Sequence, residues 1–220
     1  MNDNIKITRY YILLTLVFFT FQQIFSQQFK GGVLLGFTAA QVDGDGYAGY
    51  KQPGLTGGFY TNTKISKNML GQIEIKYTAK GARETGDEND PMLYQMKLRY
   101  MEVPVKFIYN IEKFKCSVEA GISQGYLFHQ HAEGTDDNQN IVDLLDQDPL
   151  RKYELGWLLG GSYHFTDKFK LSVIFNYSFL PVRKYENSDY NYGILARNLW
   201  MNRGDYNNNF QFALYYMIDK

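Results

Sequence analysis

The sequence predicts an all-β protein: an eight-stranded antiparallel up-and-down barrel that crosses a membrane. Three observations carry that expectation. Apolar residues recur at every second position along most of the chain, and no helical period lasts beyond about two turns. The gaps between the alternating segments are short and long in turn. Charged residues stand in mid-segment, on the face opposite the apolar one.

Eight segments alternate, at 29–41, 53–65, 70–82, 94–109, 114–130, 151–165, 169–181 and 206–218. In the first three, the clearest case is Ile73, Ile75, Tyr77 and Ala79 against Glu74, Lys76, Thr78 and Lys80. The fourth changes phase: Met96, Leu98 and Tyr100 hold one parity, and Val103, Val105, Phe107 and Tyr109 the other. Pro104 lies inside it and cannot donate to a ladder, which predicts a β-bulge there. In the sixth, Tyr153, Leu155, Trp157 and Leu159 alternate with Glu154, Gly156 and Gly160. In the seventh, Leu171, Val173, Phe175, Tyr177 and Phe179 share a face, and in the eighth Phe210, Phe212, Leu214, Tyr216 and Ile218 do. Successive side chains of a strand point to opposite sides, so each segment has an apolar and a polar face. Each is long enough to cross a bilayer as a tilted strand, which takes about 9–11 residues.

Short gaps are Ser66–Asn68, Asn110–Lys113 and Thr166–Lys168, while long gaps are 42–52, 83–93, 131–150 and 182–205. With eight strands, all long loops fall on one side, and the short turns and both termini on the other. Outer-membrane barrels show this asymmetry, with short periplasmic turns and long outer loops. Phe29, Tyr60, Tyr77, Tyr94, Tyr109, Phe128, Tyr163, Phe165, Tyr215 and Tyr216 lie near segment ends, as the aromatic girdles of such a barrel would.

Composition narrows the classes further. Lys+Arg 23 against Asp+Glu 23 gives no net charge, which argues against a nucleic-acid partner. Aromatic residues make up 17%, too many for a disordered chain. Cys116 is the single cysteine, so no internal disulfide framework is available. A mean hydropathy of -0.39 excludes a multi-helix membrane protein but not a barrel, where only alternate residues face lipid. Residues 1–26 read as a secretory signal: Lys6 and Arg9 precede the apolar run Tyr10–Phe21, and Ser26 is a small residue before the cut. The barrel domain is then 27–220.

The charges Glu74, Lys76, Lys97, Arg99, Glu102, Lys106, Glu119 and Glu154 fall deep within segments. In a closed eight-strand barrel they are expected to point inward and pair, because the bore is filled by side chains and a lone buried charge costs several kcal/mol. The interior is therefore expected to be plugged. Alternation alone leaves the faces interchangeable. A secreted lipocalin-like carrier would line its cavity with Leu171, Val173 and Phe175 and turn its charges to water.

From Phe29 to Asn110 the chain resembles the PorT-like outer-membrane β-barrel family of Gram-negative bacteria. The carrying residues are Gly31-Gly32, Gly36-Phe37, Asp43-Gly44-Asp45-Gly46, Lys51 to Phe59, Glu74 to Ala82, and Tyr100-Met101-Glu102-Val103-Pro104-Val105. The resemblance implies an eight-stranded outer-membrane barrel. It brings no catalytic residues and no cofactor.

Other candidate sites are weaker. Asp43-Gly44-Asp45-Gly46 lacks the later ligands of a calcium loop and reads as an outer turn. The third long loop carries Glu133, Asp136, Asp137, Asp143, Asp146 and Asp148, a solvated acidic loop or a weak divalent-cation site. Ile141, Leu144 and Leu145 have helical spacing within it. His129 and His131, with Glu133 or Asp136, make a faint metal signal. A lipid A-modifying enzyme would need a Ser–His pair near the outer leaflet; Ser162 with His164 lies at the other end, and Ser123 is too far along its strand from His129. The fourth long loop, with Tyr185, Tyr190, Tyr192, Arg197, Trp200 and Arg203, has the composition of an adaptable contact surface. The expected partners are outer-membrane lipid and lipopolysaccharide, with a protein partner at the outer loops, and the expected state is a monomer.

Overall fold

Alternation with one apolar face leaves a sheet two ways to bury its edges, and this chain closes the sheet on itself. The computed structural model describes residues 29–47, 49–84, 94–135, 141–143, 150–183 and 204–218. Its strands are β1 (Phe29–Asp43), β2 (Gln52–Lys64), β3 (Met69–Glu84), β4 (Tyr94–Ile111), β5 (Cys116–Thr135), β6 (Ile141–Asp143), β7 (Tyr153–His164), β8 (Phe169–Ser178) and β9 (Tyr206–Ile218). Eight of them pair antiparallel in a ring, β1-β2-β3-β4-β5-β7-β8-β9, closed by β1 against β9 from Gly31↔Ile218 to Asp43↔Tyr206. Closure removes the unpaired edges that an open sheet would present.

The ninth strand, β6, stands outside the ring. Three residues pair with the far end of β5, from Glu133↔Asp143 to Thr135↔Ile141. The sequence expects helical spacing at Ile141, Leu144 and Leu145. Ile141 is instead in a strand and exposed, and Leu144 and Leu145 lie outside the described residues.

The short turns are held by their own backbone. Ile65 N–H donates to Met69 O at 2.9 Å, and Phe165 N–H to Phe169 O at 3.0 Å. A 3-10 turn at Glu112–Phe114 ends on Lys115, whose φ of 53° places it in the left-handed region and whose N–H returns to Glu112 O at 3.2 Å.

Apolar side chains face outward around the ring. Leu35, Phe37, Leu55, Phe59, Ile73, Ile75, Phe107, Ile122, Leu159, Val173 and Leu214 are all largely exposed, while Glu74, Lys76, Thr78, Glu102 and Lys106 are buried. This is the reverse of a lipocalin-like carrier: Leu171 and Val173 lie on the outer surface and line no cavity. An outer wall of this kind suits hydrocarbon. Among the aromatics expected to form girdles, Tyr60, Tyr94 and Tyr215 are buried in the bore, and Phe29, Tyr109, Phe128, Tyr163, Phe165 and Tyr216 face outward.

Strand β4 does not change phase. Its inward positions run unbroken from Tyr94 through Met96, Leu98, Tyr100, Glu102, Pro104 and Lys106 to Ile108. The β3–β4 register is the same on both sides of Pro104, at Ile73↔Val105 and Lys76↔Glu102. The bulge lies instead on β5. Arg99 pairs with His129 and Tyr100 with Leu127, so Phe128 is the extra residue. What changes along β4 is its surroundings, with the apolar residues facing inward near the long loops and outward below them.

Candidate functional site

The bore is filled by a single alternating chain of charges. Lys170 Nζ on β8 lies 3.1 Å from Glu119 on β5, and Glu119 lies 2.8 Å from Lys106 on β4. Lys106 reaches Glu74 on β3 at 2.5 Å, and Glu74 lies 3.5 Å from Lys76. Lys76 stands 3.7 Å from Glu102 on β4, Glu102 is 2.6 Å from Lys80 on β3, and Lys80 is 2.6 Å from Glu154 on β7. Four ammonium groups and four carboxylates thus alternate along the chain and cancel. Each interior charge has an opposite neighbour, which is what makes its burial tolerable.

Neutral groups add hydrogen bonds to several members of the chain. Tyr215 O–H donates to Glu74 Oε1 at 2.8 Å, and Gln72 donates to the same oxygen at 2.7 Å. Ser162 O–H donates to Glu119. Thr78 O–H donates to Glu102 at 2.8 Å, Lys76 donates to Gln211 Oε1 at 2.6 Å, and Asn207 donates to Glu154 at 2.6 Å. Lys170 also lies 4.5 Å from the centre of the Tyr215 ring, a cation–π contact. Space for these long side chains comes from small neighbours. A Cβ at Gly58, opposite Lys76, would stand 2.6 Å from the Lys76 Cα, so only glycine fits.

Above the charges, toward the long loops, the bore holds an apolar cluster beside the buried Asn176, Ser178, Asn207 and Asn209 of β8 and β9. Val42, Tyr94, Met96, Leu98, Leu127, Leu150 and Val182 form one buried cluster, with Tyr47 stacked on Tyr94 at 4.7 Å between ring centres. This cluster seals the long-loop end. The short-turn end holds a cavity of about 1050 Å³ lined in part by Lys30, Lys64, Lys67, Lys115 and His164.

Six of the eight charges that the sequence places in the interior lie there: Glu74, Lys76, Glu102, Lys106, Glu119 and Glu154. Lys97 and Arg99 do not. They occupy outward positions on β4, because the inward positions at that height belong to Met96, Leu98 and Tyr100 of the seal. Lys80 and Lys170 take part in the chain although the sequence argument left them out. Both share the parity of the polar face, which was the available signal, but both lie near segment ends.

In the outer turn, Gly44 and Gly46 have φ of 112° and 88°, and Asp45 Oδ1 accepts from Tyr47 N–H at 3.0 Å. Burial, with Asp205 and Asp43 nearby, pushes the Asp45 carboxyl up to about 7. His131 Nε2 lies 3.4 Å from Glu133 Oε2, and His129 stands on the outer surface. Among the described residues, no group of three or more His, Cys, Asp and Glu side chains gathers to hold a metal ion. His164 meets Ser117 at 3.2 Å, while Ser162 turns to Glu119. Ser123 faces inward and His129 outward, so they share no site. Residues 1–26, Asp136, Asp137, Asp146 and Asp148, and the contact-surface candidates Tyr185, Tyr190, Tyr192, Arg197, Trp200 and Arg203 lie outside the described residues.

Residues 23–183 match the family described as outer membrane protein beta-barrel domain. The sequence matches no curated protein. Among solved structures, the fold is similar to Ail, the attachment invasion locus protein of Yersinia pestis, in complex with the heparin analogue sucrose octasulfate, at 11% identity over 87% of this chain and 99% of that one, with a TM-score of 0.49. It is also similar to Neisserial surface protein A, at 11% identity over 84% of this chain and 96% of the other, with a TM-score of 0.47.

Proposed function

This chain belongs to the outer membrane protein beta-barrel domain family, and from that premise we propose that it is a non-enzymatic structural or interaction protein of the outer membrane, meeting partners through its long outer loops. The observation that carries this reading is the filled bore. A lumen closed by an alternating ion chain and capped by an apolar seal is a rigid support rather than a conduit. Interaction is then left to the surface, and the loop with Tyr185, Tyr190, Tyr192, Arg197, Trp200 and Arg203 has the aromatic and polar composition of a contact surface. In this reading residues 1–26 are the export signal, and the PorT-like blocks at Glu74–Ala82 and Tyr100–Val105 mark the subgroup.

The test is photo-crosslinking in intact cells from positions 185, 192 and 200, with position 67 in a short turn as the control. The expected result is a discrete protein adduct from the long loop and not from position 67. Adducts with lipid alone from all three loop positions would overturn the interaction role.

A further inference from the structure

Lys97 and Arg99, displaced from the bore, stand together on the lipid-facing wall. On β4 the outward residues Met101, Val105, Phe107 and Tyr109 are exposed and apolar. Met101 to Tyr109 covers about 27 Å along a strand, which a tilt near 40° reduces to about 20 Å, close to the apolar band of a membrane barrel. Arg99 is the first outward residue of β4 beyond that band on the long-loop side, and Lys97 the second. They therefore lie at the depth of the outer-leaflet headgroups and face sideways.

The neighbouring strands place two imidazoles and a further arginine beside this pair. Across β4–β5, Arg99 pairs with His129 and Lys97 with His131. The extra residue Phe128 makes this possible. Odd-numbered positions of β5 face inward up to Leu127, and the bulge turns His129 and His131 outward. On the other side, Ala79 stands opposite Arg99 and Gly81 opposite Lys97, so neither cation faces a large cross-strand side chain on β3, and Arg83 follows one outward step on. Among the described residues, no carboxylate lies within ion-pairing distance of Lys97, Arg99 or Arg83. Glu133, on the same face of β5, lies 3.4 Å from His131 Nε2.

Cations with no carboxylate partner among the described residues, beside small residues, at headgroup depth and turned toward lipid, call for an anion carried by lipid. We infer that Lys97 and Arg99, flanked by His129, His131 and Arg83, bind the phosphate-bearing headgroup of an outer-leaflet lipid against the flank of the barrel. The guanidinium fork of Arg99 matches two phosphate oxygens, and Lys97 adds a point charge two residues away. The inference rests on the barrel lying in the outer membrane, and it assigns the lipid contact of that reading to one face.

Native mass spectrometry of the full-length protein in detergent tests it, using bis-phosphorylated lipid A and the same lipid stripped of phosphate. The expected result is retention of the phosphorylated form at about tenfold lower concentration, and loss of that advantage in Lys97→Ser/Arg99→Ser. Lys64→Ser/Lys67→Ser, at the short-turn rim, should bind as the parent does. A double variant that keeps the phosphate preference overturns the inference, as does equal binding of both lipids by the parent. A heat-dependent gel shift reports folding of each variant, and Arg99→Gln alone carries the same test should the double variant not fold. A parent protein without that shift would strike the barrel reading itself. A shifted parent indifferent to phosphate strikes this inference alone.

Discussion

Lys106 donates to Glu119 at 2.8 Å, and neither side chain reaches solvent. The two are not direct partners in the β4–β5 ladder. Lys106 pairs with Gly121, whose missing side chain leaves room for the ammonium to turn to Glu119, one inward step along β5. Lys106 also meets Glu74 at 2.5 Å, so two buried carboxylates depend on it.

Lys106→Met should therefore destabilise the barrel by about 3–5 kcal/mol, the cost of leaving a buried charge without its partner. Glu74→Gln should cost less, because Lys106 keeps Glu119 and Lys76 keeps Glu102. Urea unfolding midpoints in phospholipid vesicles give the comparison. Equal midpoints for Lys106→Met and the parent would mean that the ion chain contributes nothing.

Asp45 gives the outer turn a pH dependence of known sign. Its carboxyl is raised from 3.8 to about 7, so between those values the folded protein binds more protons than the unfolded one. Stability contributed by this group is full below about 4, falls as pH rises toward 7, and is flat above. Asp45→Asn should raise the unfolding temperature relative to the parent at pH 8 and bring no such gain at pH 4. A gain of the same size at both values would remove titration of Asp45 as the cause.

The filled bore predicts the absence of conductance. Purified protein in planar bilayers should show no stable unitary current steps, because the ion chain and the apolar cluster lie in series along the bore. Steps of reproducible size from folded protein would show that water and ions pass one or both layers.

The ring of strands was legible because lipid and a polar bore impose opposite demands at every second residue, and runs such as Glu74–Lys80 record this directly. The short turns and long loops were legible for the same reason, since the alternation stops there. Lys97 and Arg99 were misplaced because the rule that apolar residues face outward holds only within the bilayer. Nearer the loops the surroundings invert: Met96, Leu98 and Tyr100 enter a seal, and the outer wall meets headgroups. That inversion mimics a change of phase and drew the bulge to Pro104, whereas the real bulge at Phe128 leaves no mark of its own in composition. Lys80 and Lys170 were visible on the polar parity, but only the folded ring shows that their side chains reach Glu102, Glu154 and Glu119.

The central claim is that β8 turns Leu171 and Val173 to hydrocarbon and Lys170 and Ser172 to the bore. Val173 and Ser172 are adjacent and face opposite ways. In a Cys116→Ser background, a small fluorophore placed on cysteine at either position is read in vesicles with brominated acyl chains. The account predicts strong quenching at position 173 and little at 172; equal quenching at both positions, or the reverse order, would contradict it.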